Sequence, residues 1–285
     1  MRGMAVVAAF AVCLVAAAAA LGGEPPSTVG AGPAHGLVHV RGAGKPGGGG
    51  SPLLAFHGGQ IMTSAAVTPI YWGTSWSSGD PTIQGLGQFY AGVGGSQYLG
   101  TNTEYTGSNG RVGTGVTLGT AIIDNSAAPK RAPRTSDIAL EVGRMIPNPA
   151  PNGYYPVYTD LPRGHAGYCA WHSWGTINGV LTQFAFFFKL DGDSGCDPQD
   201  TQTGHAEGLA ALANVSGHEL SEALTDPHGD GWFDSSGAEN ADKCAWTFSG
   251  TPESLGGTAW KIQGNFSNAA YAAKSGYDGA GCIDR

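Results

Sequence analysis

Charge is what this chain has least of. Charged residues occupy 13% of its 285 positions, about half the usual share. Lysine and arginine total 14 against 22 acids, a formal net charge of -8. Without a cationic surplus the chain cannot neutralise phosphates and release their counterions, which excludes nucleic acid as a partner and disfavours anionic membrane surfaces. Cysteine is scarce too, with five in all, and internal repeats are absent. Glycine is the surplus, at 48 residues.

The one long apolar run lies at the start. After Arg2, residues Met4 to Leu21 are unbroken by charge, and the run ends in the small residues Ala16 to Ala20. That is the charged, apolar and small-residue order of a cleaved secretory signal, with cleavage expected near Ala20. A signal anchor of about 20 residues is the rival, but Gly22, Gly23, Pro25 and Pro26 follow at once with no cationic stop-transfer flank. Cys13 belongs to the signal core, because Ala11 and Val12 do not supply the small residue that lipidation wants directly before it.

Removing residues 1–22 leaves Cys169, Cys196, Cys244 and Cys282, an even number in an oxidising compartment, so two disulfides are expected. Three connectivities are open, with a weak preference for the shorter loops, Cys169 to Cys196 and Cys244 to Cys282. A nucleophilic Cys169 beside His172 would need an unpaired thiol.

Residues 23–52 are rich in proline and glycine and read as a flexible lead-in or short propeptide. Residues 53–285 form the domain. Strands are expected at Val67–Trp72, Val116–Ile123, Tyr154–Tyr158, Tyr168–Ile177 and Leu181–Leu190, the last carrying a run, Phe184 to Phe188, too apolar to face water. Helical spacing marks Thr82–Leu99 and Ser136–Met145. The alternation predicts a single layered α/β domain, a mixed sheet flanked by helices.

The chemistry concentrates on one further helix, expected over Gly204–Thr225 with Asp200 as its cap and Asp226-Pro227 as its stop. His218 and Glu222 stand four apart on one face and can hold one ion between them. Glu219 occupies the position at which HExxH zinc hydrolases keep the carboxylate that accepts a proton from water. The motif here is HExxE, which exchanges one imidazole ligand for a carboxylate that zinc also accepts. The competing reading makes the two glutamates a solvated helix face and His218 a hydrogen-bonded core residue. Carboxylates near a helix C-terminus oppose its dipole, which favours a compensating cation.

A third ligand is expected from the acidic stretch Asp226–Asp242, with Asp242 ranked first, Glu239 second and His228 third. His228 has the spacing of the longer metzincin motif, but Thr225 stands where that motif turns on glycine. Zinc is the expected ion. Calcium is the alternative, held by Asp226, Asp230 and Asp234 or by Asp191, Asp193 and Asp197, although neither set has the glutamate that closes an EF-hand loop. His172 is a candidate electrophile facing the site, with a core hydrogen bond as the plainer role. His57 reads as structural. Asn214 and Asn265 head glycosylation sequons.

Five segments resemble one family. They are Phe56–Gly73, Tyr168–Ser173, His218–Trp232, Glu239–Trp246 and Ile262–Tyr271. Together they resemble the EXORDIUM or phosphate-induced protein 1 family in its microbial branch, over most of Leu53 to Cys282. The resemblance implies an extracellular or cell-wall-associated protein and brings no settled biochemical activity with it. The plant pattern lacks the His-Glu pair of the helix and keeps the acid equivalent to Glu239 but not Asp242, which is why Asp242 ranks first as ligand. Two functions follow as expectations. One is a secreted zinc hydrolase, most simply a peptidase acting on a peptide or cell-wall substrate, in which His218, Glu222 and Asp242 hold the ion and Glu219 is the general base. The other is a non-catalytic wall or carbohydrate binder with a structural ion or none.

Overall fold

The computed structural model describes residues 29–43 and 51–285. The secretory signal lies outside the described residues, as does part of the lead-in. Among the described residues no helix is long and apolar enough to cross a membrane.

The domain is a mixed α/β layer structure. In chain order its main elements are β1 (Val29–Ala31), β2 (His35–His39), β3 (Ser64–Val67), β4 (Ile70–Trp72), α1 (Pro81–Val93), β5 (Gly115–Leu118), β6 (Ile122–Asp124), α2 (Thr135–Met145), β7 (Gly153–Pro162), β8 (Tyr168–Ile177), β9 (Val180–Lys189) and α3 (Glu207–Thr225). The expected strand Val67–Trp72 is two strands, because Thr68-Pro69 interrupts the ladder and proline has no N–H to donate. β7 lies parallel to β3, β4 and β9, while β8 runs antiparallel to β9 and takes both β1 and β2 on its outer edge. The β8–β9 hairpin turns on Asn178-Gly179, both at positive φ, the conformation in which this pair matches strand twist. Phe184 to Phe188 in β9 are all buried between β7 and β8. The apolar run therefore marks a central strand covered on both faces.

One expectation is overturned. The lead-in is not a flexible tail across residues 29–43. Val29–Ala31 pairs with Gly175–Ile177, and His35–His39 with Tyr168–His172. The free edge of β8 supplies the hydrogen-bonding partners that glycine-rich composition alone gave no reason to expect.

α3 begins at Glu207 rather than Gly204, since the Asp200 carboxylate instead accepts the Gln202 and Thr203 N–H groups of a preceding turn. Only Glu207 and Leu209 of this helix escape burial. A helix buried all round is ordinarily apolar all round, yet α3 carries Asn214, Ser216, His218, Glu219, Ser221 and Glu222. Some of these have partners within the protein. Ser216 joins the Tyr158 hydroxyl at 2.7 Å, which joins that of Tyr90 at 2.8 Å, and Asn214 Oδ1 accepts from Gln263 N. Asn214 and Asn265 are both fully buried, so neither sequon is presented to solvent.

Disulfides join Cys169 to Cys196 and Cys244 to Cys282, leaving no role for Cys169 as a nucleophile. The pairing fits an extracellular compartment. The second bridge fastens the segment after α3, whose short 3-10 turn Asp242–Cys244 returns against the helix.

Candidate metal centre

Helical spacing places His218 and Glu222 one turn apart, and the returning loop sets Asp242 against both. His218 Nε2 is 3.0 Å from Glu222 Oε1 and 3.5 Å from Asp242 Oδ1. Asp242 N donates to Glu222 Oε1 at 2.8 Å, fixing the loop to the helix. Tetrahedral zinc with bonds of about 2.0 to 2.1 Å separates its ligand atoms by about 3.3 to 3.4 Å, so this spacing suits three ligands on one ion.

Glu239 takes a different neighbour. Its Oε2 lies 3.4 Å from His172 Nε2, which is itself 3.7 Å from Glu222 Oε2. β8 positions His172: strand alternation aims it at α3, on the same face as Ala170 and opposite Ala185 of β9. Beyond it, His35 of β2 brings Nδ1 to 3.9 Å from Glu239 Oε1. Three groups of converging ligand atoms result: His218, Glu222 and Asp242; His172, Glu222 and Glu239; His35, Asp226 and Glu239.

Five carboxylates, those of Glu219, Glu222, Asp226, Glu239 and Asp242, are thus buried in one region, and the ion pairs drawn there run to histidines. Many of their atoms have no hydrogen-bond partner. Both oxygens of Glu219, Glu222 Oε2, Asp226 Oδ2, Glu239 Oε2 and the Nε2 atoms of His35, His172 and His218 are all without one. Each such buried group costs about 1 to 3 kcal/mol if left so. A divalent cation is the agent that satisfies lone pairs of both residue types at once.

The protonation behaviour agrees. Burial pushes Glu219 well above the usual carboxylate range, with Glu222 and Asp242 adding to the push and His218 opposing it. Burial and then the charge of Asp242 raise Glu222 to about 7. Burial raises Glu239 strongly, reinforced by Glu222 and Asp226. Burial drives His172 well below the ordinary imidazole value, as do His35 and His218. For His218 burial opposes the charged form, but Glu222 and Asp242 outweigh it and raise the ring above the ordinary imidazole value.

One contact opposes that last direction. Gln263 Nε2 lies 2.8 Å from His218 Nδ1, and the amide is oriented by Nε2 donating to Ala241 O and Oε1 accepting from Trp246 N. A donor facing Nδ1 requires that nitrogen to be bare. An ion held on Nε2 would place the proton on Nδ1, for which the Gln263 oxygen, not its nitrogen, is the matching partner.

β2 covers the cluster. Gly36 has φ +50°, and a Cβ built on it would overlap Glu222 Oε2 and press to 2.8 Å on His172 Nε2. A cleft of about 180 Å³ bordered by His35, Gly36, Gly237, Ala238 and Asp242 leads to the rim of the cluster.

The remaining residues singled out from the sequence lie elsewhere. His228 joins none of the three groups and instead faces Gln183, with Nε2 atoms 2.8 Å apart. His57 stacks on Phe233 and approaches its carbonyl. Neither aspartate set proposed for calcium forms a converging triad among the described residues. Asp226 accepts from Gly231 N, Asp234 pairs with Lys243, Asp193 with Arg163, and Asp197 caps Gln199 N. Sequence reasoning missed His35 and Gly36, which stood in the segment taken for a tail. The alternation of Leu37, Val38, His39 and Val40 offered only a faint strand signal. No protein-family model matches the chain, and neither does any curated protein or solved structure.

Proposed function

We propose that the chain is a secreted metal-dependent hydrolase, with zinc as the ion and peptides as the substrate class, and that its resemblance to the EXORDIUM family reflects common descent. The observation that carries the reading is the convergence of His218, Glu222 and Asp242 at ligand spacing, with unpartnered Glu219 beside them. Zinc held there supplies Lewis acidity, which makes water nucleophilic near neutral pH and polarises a carbonyl. Glu219 belongs to none of the converging triads and both its oxygens lack partners; in this reading the charge of the ion offsets the burial that raises its carboxyl, so that it can take the proton of the attacking water and return it to the leaving amine. Asp242, 8% exposed beside the cleft, marks the side from which a substrate enters. Gln263 orients His218.

A second reading has one observation in its favour. β2 passes directly over Glu222 and His172, leaving no space for a peptide against them while it stays in place. On that reading the ion is structural and the protein binds rather than cleaves. Glu219→Gln and His218→Ala separate the two. The hydrolase predicts that Glu219→Gln keeps zinc and fold while turnover on a peptide panel falls about a hundredfold, and that His218→Ala loses the ion. Peptide turnover that is absent in the wild type, both with residues 23–43 present and with them removed, favours the structural ion.

A further inference from the structure

Glu222 stands between two imidazoles. Its Oε1 is 3.0 Å from His218 Nε2 and its Oε2 is 3.7 Å from His172 Nε2. The second imidazole has a carboxylate of its own, Glu239 Oε2, at 3.4 Å. His172 and Glu239 are each 1% exposed and Glu222 is fully buried. The three atoms on this side, His172 Nε2, Glu222 Oε2 and Glu239 Oε2, all lack a hydrogen-bond partner. They are unpartnered, buried, and aimed at one point.

Spacing and charge both count two ions rather than one. The ligand separations on the His172 side, 3.4 and 3.7 Å, lie at and a little above the edge of about 3.3 to 3.4 Å that tetrahedral bonds of about 2.0 to 2.1 Å generate. One divalent ion balances two of the five buried carboxylates; two balance four. Glu239 cannot complete the first site, since its near oxygen faces His172 and its other faces His35. β2 fits the same picture, because glycine at position 36 lets the strand cross the shared carboxylate where any Cβ would overlap it.

We propose that His172, Glu222 and Glu239 form a second divalent-metal site, and that Glu222 bridges two ions, one on each oxygen. Two ions sharing one carboxylate would stand close together, at a separation of about 3.5 to 4 Å typical of paired-metal sites. Imidazole with two carboxylates suits zinc, manganese or iron. The proposal rests on reading His218, Glu222 and Asp242 as the first site, since Glu222 belongs to both.

Titration of the metal-free purified protein with Co2+, followed by visible absorption and electron paramagnetic resonance, tests it. The bridged pair predicts two equivalents, with the resonance intensity per ion falling as the second binds because the carboxylate couples the spins. His172→Gln and Glu239→Gln, which keep side-chain volume, should each bind one equivalent with an uncoupled spectrum. One equivalent in the wild type, retained by His172→Gln, overturns the second site and leaves the first standing. One equivalent lost in His172→Gln removes the first site and the bridge together. No binding removes both readings. Two equivalents without coupling, or two retained in His172→Gln, put the second ion elsewhere and overturn the assignment. If the variants do not fold, the wild-type stoichiometry and coupling decide alone.

Discussion

Asp234 and Glu239 lie five residues apart on the same loop, both nearly buried, and they meet opposite surroundings. Asp234 is surrounded by donors: Oδ1 accepts from Ser236 N, Ser236 Oγ and Ala238 N, and Oδ2 takes Lys243 Nζ at 2.7 Å. Burial works against its ionised form, but Lys243 and Ser236 outweigh it and hold its carboxyl below the usual range. Glu239 faces Glu222, Asp226 and Asp242, and its Oε2 has no hydrogen-bond partner. A carboxylate kept for structure is met by protein donors. One left bare among other carboxylates is in an arrangement that a protein alone does not stabilise. Glu239 and its neighbours could hold a cation, whereas the charge of Asp234 is already met by protein donors.

The comparison can be broken most forcefully at Gly36. Adding a methyl group there places a Cβ against Glu222 and His172 and fixes a positive φ on a residue that resists it. Gly36→Ala is expected to cost about 1 to 3 kcal/mol through overpacking, read from the denaturant midpoint, and to weaken metal binding at the same time. A variant as stable as the wild type would mean that β2 does not sit on the cluster.

Removing the group that orients His218 comes next. Gln263→Ala should lower metal affinity about 10- to 100-fold, as loss of a hydrogen-bond partner behind a ligating histidine does, measured by competition with a chromophoric chelator. Unchanged affinity would mean that His218 does not ligate through Nε2.

Neutralising each acid in turn should move stability in opposite directions. In metal-free protein Glu239→Gln should be neutral or stabilising, since it removes a buried carboxylate that lacks a compensating charge. Asp234→Asn should destabilise by about 1 to 3 kcal/mol with or without metal, since it breaks a charge-assisted hydrogen bond. The Asp234 effect has a defined pH dependence. Its folded pKa lies below the ordinary 3.8, so its contribution is present above that value and is lost as pH falls through the lower folded value. The Asp234→Asn difference should therefore disappear in acid, which a pH series of melting curves measures.

Much of the fold was legible because its signals are local. The apolar run of β9, the periodicity of α2 and the spacing of His218 and Glu222 each depend on a few consecutive residues, and all appear where expected. Asp242, ranked first among the acids after the helix because the resemblance's plant pattern lacks it, lies with His218 and Glu222. What sequence could not carry was pairing at a distance. His172 was readable as a strand residue that could face the site, but not that its partners there are Glu222 and Glu239. β2 has only five residues and owes its order to the open edge of β8. Its surroundings of proline and glycine described a tail more strongly than its own residues described a strand. The start of α3 moved because Asp200 found nearer N–H groups to cap.

The central claim is that the carboxylates around His218 are stabilised by a cation, and the most direct measurement is the melting temperature of the purified protein before and after exhaustive chelation, with elemental analysis of both samples. The purified protein should carry stoichiometric transition metal at the outset. Chelation should then lower stability by about 4 kcal/mol where the ion had been at a thousandfold excess over its dissociation constant, and the loss should be restored by zinc and abolished in Glu222→Ala. A protein that carries no metal above background and melts at the same temperature with and without chelator would contradict it.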